Sequence, residues 1–322
     1  MSTHVARWTA TLAAASTAAL LTGCGSGDEG TGADSGELTV LAGFYPLEWT
    51  AARVGGDLVS VSSLTPPGAE AHDLELAPQD VAAVSEADLL VYLDGFQPAL
   101  DEAADSEGGD HAWDAGQAAD LLAGEADEHE EEEHADEEHA EEEHAHEDGA
   151  VDPHFWLDPT RLASVGDALA DRMAELNPDN ASTYEANAAA LRADLEALDQ
   201  EMETGLSNCS VSTVVTGHDA FGYLGARYGL EVVGISGLSP SQEPSASQLA
   251  ELATLVRERG VTTVYTETLV DPAVAETVAE EAGARTAVLD PIEGLTDESD
   301  GEDYLQVMRA NLATLQEGQS CS

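Results

Sequence analysis

The chain of 322 residues contains no lysine; its ten basic residues are all arginine, set against 65 aspartates and glutamates for a formal net charge of −55. Without lysine there is neither Schiff-base chemistry nor a phosphate-gripping P-loop. A negative surplus of this size repels phosphate backbones, which excludes nucleic acid as a natural partner and favours cations. Aromatic residues are scarce, at 5%, and cysteine is scarcer, with Cys24, Cys209 and Cys321 the whole supply. Long apolar runs are missing as well. Spanning a bilayer takes about 20 consecutive apolar residues, and no stretch qualifies.

What is present begins at the N-terminus. Arg7 supplies a positive start and residues 9–21 a short apolar stretch, the pattern of a signal-peptide core. It runs into Leu21-Thr22-Gly23-Cys24, which has the form of a bacterial lipobox, where the cysteine thiol takes up a diacylglycerol. An ordinary secretory signal with an incidental cysteine is the alternative. A Gly-, Ser- and Asp-rich tether follows. The expectation is a signal peptide over 1–23, a tether over 24–36, and an extracytoplasmic protein held to the cell membrane by a lipid on Cys24 without spanning it. In that oxidising compartment Cys209 and Cys321 form an even pair. A bridge between them would tie down the C-terminus; two free thiols are the alternative.

Roughly 290 residues remain after cleavage, enough for two modest cores. Short β-rich runs alternate with helical segments from residue 37. Strands are expected at 38–42, 58–64 and 89–93 and helices at 47–54 and 78–85, an order that argues for a parallel sheet covered by helices. Residues 125–148 break the pattern. They hold fifteen carboxylates and five histidines with no hydrophobic period, so they are expected as a disordered surface insertion in the first lobe. Asp158-Pro159 is a good helix start, an N-cap followed by proline at the first helical position. A second start lies at Asn177-Pro178-Asp179. From there Tyr184, Leu191, Leu195, Leu198 and Met202 recur at helical spacing, predicting about 28 residues of helix, roughly 40 Å long. After Cys209 the alternation resumes, with strands expected at 211–216, 230–235, 261–266 and 286–289 and helices at 220–228, 247–259, 272–282 and 304–316. The predicted fold is α/β: two lobes, 37–158 and 208–322, each with a central mostly parallel sheet flanked by helices, joined through 159–207 by one long rigid helix.

Ten histidines are present. His4 lies in the signal peptide, His111 is isolated, and five occupy the acidic insertion. The other three have distinctive surroundings. His72 lies in the turn-rich Pro66-Pro67-Gly68-Ala69-Glu70-Ala71-His72-Asp73. His154 sits between two prolines in Asp152-Pro153-His154-Phe155-Trp156-Leu157-Asp158-Pro159. His218 follows an expected strand in Thr216-Gly217-His218-Asp219. Asp290 ends the apolar run 286–289. His218 and Asp290 therefore fall at carboxyl ends of strands, where ligands bind in open α/β sheets. Three imidazoles and a carboxylate suit tetrahedral Zn²⁺ and favour it over manganese, which prefers more oxygen. Each histidine taken singly also reads as a hydrogen-bonded loop residue.

Together these motifs resemble the metal-binding solute-binding proteins of ABC importers, and within them the ZnuA-like zinc receptors. The matches are the loop 68–73, the block 152–159, the block 216–224 and Val288-Leu289-Asp290-Pro291, in order over roughly residues 37–317. The resemblance implies that His72, His154 and His218 are metal ligands and that Asp290 is a fourth or lies close beside it. Manganese receptors of the family usually have glutamate at the third position, so His218 points to the zinc branch. Some zinc members place glutamate directly before the first histidine; here that residue is Ala71, and no role is carried over to Glu70. Glu267, at another strand end, is a candidate supporting or substitute ligand.

The acidic insertion also resembles one found in many zinc receptors. His129, His134, His139 and His144 are spaced by five, so on a helix each would turn about 140° from the last. With His146 they make a set of weak, shifting metal sites; a merely solubilising tract is the alternative. The implied function is capture of Zn(II) between the lobes and delivery to the permease subunits of an ABC importer by a monomeric, lipid-anchored, non-enzymatic receptor. A manganese or iron receptor of the same family is the first alternative. A zinc metallohydrolase is a second, although no His-Glu-x-x-His motif or positioned general base is evident. A surface adhesin on the same fold is a third.

Overall fold

The first lobe opens with β1 (Leu38–Ala42), whose Val40 and Ala42 are fully buried, followed by α1 (Tyr45–Gly55) with Pro46 in its first turn. The computed structural model describes residues 37–122, 151–242 and 244–322. The lobe continues through β2 (Val59–Ser63), α2 (Pro78–Glu86), β3 (Leu89–Tyr92), α3 (Pro98–Ala103), β4 (Ala112–Asp114) and α4 (Gly116–Ala119). All its strand pairs are parallel, in the order β2-β1-β3-β4. The central strands are covered on both faces, which is why 38–42 and 89–92 read as near-continuous apolar runs. β4 was not foreseen. It is three residues long, pairs among the described residues with β3 alone, and stands among acidic and small residues that carry no period.

Two long helices follow, α5 (Pro159–Leu176) and α6 (Ala181–Leu206), joined by a short 3₁₀ turn over Pro178–Asn180. Asp158 caps α5 as expected, its carboxylate accepting from the Thr160 amide at 2.9 Å. In α6 the buried residues Tyr184, Ala188, Leu191, Leu195, Leu198, Met202 and Leu206 recur at steps of three and four, one continuous apolar stripe. Gly166 of α5 faces Leu191 of α6, where a Cβ would come within 2.9 Å of Leu191 Cδ2, so glycine there sets how closely the two helices approach.

The second lobe runs β5 (Thr213–Thr216), α7 (Gly222–Tyr228), β6 (Glu231–Gly234), α8 (Ala246–Arg259), β7 (Thr263–Thr266), α9 (Ala273–Ala282), β8 (Arg285–Val288) and α10 (Tyr304–Gly318). Its sheet is also wholly parallel, in the order β6-β5-β7-β8. The 26-residue α6 spans both lobes. Arg53 of α1 pairs with Asp194 at 2.6 Å, Arg227 of α7 forks onto Asp199 at 2.7 and 2.9 Å, and Arg309 of α10 meets Glu201 at 2.7 Å. Cys209, just past α6, is disulfide-bonded to Cys321, just past α10, across 112 residues of chain. Among the described residues no helix is long and apolar enough to cross a membrane.

Candidate metal centre

Three of the four residues singled out in the sequence meet at one point between the lobes. His72 arrives on the loop after β2. Glu70 holds this loop in shape: its carboxylate accepts from the amides of His72 and Asp73, both at 3.1 Å. Gln97, buried, donates to the Ala71 carbonyl and the Thr65 hydroxyl at 2.9 Å each. The His72 ring rests edge-on against Phe96, with centroids 4.6 Å apart.

His154 and His218 are held by the same device. Asp152 Oδ1 accepts from the His154 amide at 2.9 Å and from its Nδ1–H at 2.8 Å. Glu267 accepts from the His218 amide at 2.8 Å and from its Nδ1–H at 2.6 Å. A carboxylate on Nδ1 makes that nitrogen the donor and leaves Nε2 to face the centre. Gly217 permits the Glu267 approach, since a Cβ there would lie 2.6 Å from Glu267 Oε1.

The fourth corner is Glu293, and Asp290 does not occupy it. His72, His154, His218 and Glu293 each present one ligand atom to a common point, all within 4.8 Å of one another. Asp290 was expected as the fourth ligand or its close neighbour. Its carboxylate is instead turned to the Ile292 amide and the Ser299 hydroxyl, at 2.8 Å each. Glu293, three residues on, carried no sequence signal: it belongs to no periodic segment, and in a chain with 65 acidic residues one more in a loop is invisible. Glu70 also responds to the centre: burial first, then the negative charge of Glu293, push its pKa up to about 7.

The distances define the chemistry. His154 Nε2 lies 3.3 Å from both His72 Nε2 and His218 Nε2, and Glu293 Oε1 lies 3.5, 3.4 and 3.2 Å from the Nε2 atoms of His72, His154 and His218. A tetrahedral ion with bonds of ~2.0–2.1 Å has ligand-to-ligand edges of ~3.3–3.4 Å. His154, His218 and Glu293 are buried, while the His72 side chain keeps 9% exposure as the one corner near solvent. Glu293 Oε1 has no conventional hydrogen-bond donor among the described residues.

Four acceptor atoms this close need positive charge between them, from protons in the metal-free protein or from a cation. The titration of the groups reflects this. Burial opposes a charge on Glu293, but the three imidazoles outweigh it and hold its carboxyl well below the usual range. Burial likewise opposes the proton on His218, yet Glu267 and Glu293 together push its pKa up to about 10. His154 is raised in the same way, with Asp152 and Glu293 outweighing burial. At His72 burial wins and the pKa is lowered.

Contacts across the lobes seal the site. Trp156 Nε1 donates to the Pro291 carbonyl at 2.7 Å, Tyr304 Oη to the Trp156 carbonyl at 2.5 Å, and Tyr223 Oη to the Asp152 carbonyl at 2.7 Å. Residues 40–318 match the sequence profile of ZnuA, the zinc-uptake complex component A, periplasmic. The chain belongs to the ZnuA family. It is 36% identical over 318 residues to the high-affinity zinc uptake system protein ZnuA of Bacillus subtilis, covering 97% of each chain. It is also 36% identical over 288 residues to the zinc-binding lipoprotein AdcA of Streptococcus pneumoniae, covering 88% of this chain and 56% of that longer one. Among solved structures, the Zn(II)-bound ZnuA-like domain of S. pneumoniae AdcA superposes with a TM-score of 0.70 at 33% identity, over 88% of this chain and 99% of that one. The laminin-binding protein Lmb of Streptococcus agalactiae, described as a bifunctional protein with adhesin and metal-transporting activity, superposes with a TM-score of 0.75 at 30% identity over the same shares. The two-lobed α/β fold is therefore that of a ZnuA-family zinc-binding protein, and the three histidines and one glutamate gathered between its lobes are a donor set that suits Zn²⁺. Cys24 and the five insertion histidines, His129, His134, His139, His144 and His146, lie outside the described residues.

Proposed function

We propose that this protein is an extracytoplasmic receptor that captures Zn(II) between its lobes on His72, His154, His218 and Glu293 and delivers it to the permease of an ABC importer. The observation that carries this reading is the set of five ligand-to-ligand distances between 3.2 and 3.5 Å, which suit tetrahedral zinc with nitrogen-rich ligation. Four protein ligands complete a tetrahedron and leave no position for a reacting water, which favours carriage over hydrolysis. Zinc is cargo here, bound when the lobes close and released when they part. The lipid on Cys24 would keep the receptor beside its importer as a monomer, and the insertion 125–148 would raise local zinc concentration near the cleft. Deletion of 125–148 that left zinc uptake unchanged at limiting zinc would remove that role.

The test is a competition titration of the full chain with Zn²⁺ and Mn²⁺ against a chelator strong enough to silence weak sites. One tight zinc site that resists manganese is expected. It should weaken by more than about 100-fold in both His154→Ala and His218→Ala, beyond the 10–100-fold typical of losing only a ligand's supporting partner. Equal or tighter manganese binding would place the protein in the manganese branch. A tight site untouched by either substitution would overturn the assignment of the cleft.

A further inference from the structure

We propose that Asp290 is a positioning residue for zinc capture, holding Ile292 in a left-handed backbone conformation that delivers Glu293 to the three imidazoles. The inference rests on the zinc reading above. It begins from a backbone anomaly. Ile292 has φ of 59° and is fully buried. Branched side chains avoid this region because Cβ crowds the following carbonyl. Among the described residues only Asp120 and Ser320 share a positive φ without being glycine, and both are polar and exposed. An isoleucine stays there only if its surroundings over-determine it.

The surroundings do so at four points. Asp290 Oδ1 accepts from the Ile292 amide at 2.8 Å, closing a tight turn around Pro291. Asp290 Oδ2 accepts from the Ser299 hydroxyl at 2.8 Å, which fixes the carboxylate plane. Asn311 of α10 grips the Asp290 backbone on both sides, accepting from its amide at 2.9 Å and donating to its carbonyl at 2.7 Å. Trp156, two residues beyond His154, holds the Pro291 carbonyl at 2.7 Å. The next residue is Glu293. A change of φ at 292 to the ordinary negative region would re-aim that side chain away from the histidines. The turn thus converts hydrogen bonds outside the metal's reach into the placement of one ligand oxygen. This also accounts for a buried acidic residue two positions past β8 whose carboxylate bonds to Ile292 and Ser299 and lies outside the ligand cluster.

The positioning role separates from a ligand role by substitution, because it needs an acceptor at Oδ1 and not a charge. Two readouts on the purified full chain decide it: zinc affinity by chelator competition, and the visible spectrum of the Co²⁺-loaded protein, whose intensity reports tetrahedral geometry. Asp290→Ala is expected to lose about 10–100-fold in zinc affinity and to weaken the tetrahedral cobalt bands. Asp290→Asn, which keeps an acceptor for the Ile292 amide, is expected within about threefold of the parent with its bands intact. If Asn costs as much as Ala, the carboxylate acts on the ion by charge and the proposal fails. If Ala retains parental affinity and spectrum, the turn positions nothing and the proposal fails. Should Asp290→Ala not fold, Ser299→Ala decides, with weakened cobalt bands expected and an unchanged spectrum overturning the idea. Absence of a tight zinc site in the parent would overturn the functional reading instead, and is seen before any variant is made.

Discussion

The two lobes are built alike and used differently. Each is a four-stranded parallel sheet in which the second strand, the first, the third and the fourth lie side by side in that order. In the second lobe the functional residues stand close to strand ends: His218 two residues past β5, Glu267 immediately past β7, and Glu293 five past β8. In the first lobe they come from loops: His72 nine residues past β2, and His154 from the segment leading into α5. The two lobes nevertheless hold a histidine by one device, a carboxylate bonded to both the amide and Nδ1. In the first lobe that carboxylate is two residues away in sequence, in the second it is 49. The same geometry is thus reached once by local chain chemistry and once by strand pairing. The difference bears on robustness: the Asp152 clamp travels with its own loop, whereas the Glu267 clamp exists only while β5 and β7 are paired.

The lobes also differ in covalent reinforcement, and the largest expected effect follows from this. The Cys209–Cys321 bridge closes 112 residues, all in the second lobe. By loop entropy such a closure contributes roughly 4–5 kcal/mol. Cys321→Ser, or reduction, should lower the second lobe's stability by an amount of that order in denaturant titrations, with amide exchange of β5 to β8 accelerated before that of β1 to β4. Equal acceleration in both sheets would show that α6 welds the lobes into one cooperative unit, and would end the comparison on that point.

Of intermediate size are the two clamps. Asp152→Ala and Glu267→Ala should each weaken zinc binding by about 10–100-fold, the range for losing a carboxylate that orients a metal-bound imidazole. Losses of similar size would show that the device matters and the sequence distance does not. A Glu267→Ala loss tenfold or more below that of Asp152→Ala would mean that His218 is aimed by its strand alone.

The smallest effect belongs to the first lobe by itself. Burial, partly opposed by a hydrogen bond from the Gly95 amide, pushes the Asp101 carboxyl up from its ordinary value of 3.8 to about 6. A folded-state value above the unfolded one means that the folded protein binds the proton more tightly. Asp101 therefore costs stability progressively as pH rises from about 4 to about 6, and the cost is in full force at pH 7. Asp101→Asn should remove it, stabilising the protein at pH 7 relative to pH 4 by under about 1 kcal/mol once solvent screening is counted. A pH-independent difference between the two proteins would refute the assignment.

Much of this architecture is legible in the sequence alone. The expected strands at 38–42, 58–64 and 89–93, and the four of the second lobe, match the observed ones to within a few residues, because buried parallel strands are short apolar runs with clear breaks. The α6 stripe and the Asp158 cap were readable for the same reason: their signals are periodic or local. β4, α3 and α4 were not, being three to six residues long and set in acidic, small-residue sequence. Among site residues, His154 came with its own clamp and prolines in one motif. Glu293 had nothing of the kind, and the apolar run before Asp290 drew attention to the wrong carboxylate.

By itself the sequence determined the charge, the strand-helix alternation, the cysteine pair and the three histidines that meet between the lobes. Each of these is a property of residue type or of spacing within one segment. Only the tertiary structure decided that Glu293 and not Asp290 faces them, that Glu267 orients His218, and that Glu70 clamps the loop carrying His72. Those outcomes depend on side-chain direction where distant segments meet. At Ile292 a single backbone torsion sets that direction, and the bonds that hold it come from Asp290, Ser299, Asn311 and Trp156, residues up to 136 positions away along the chain.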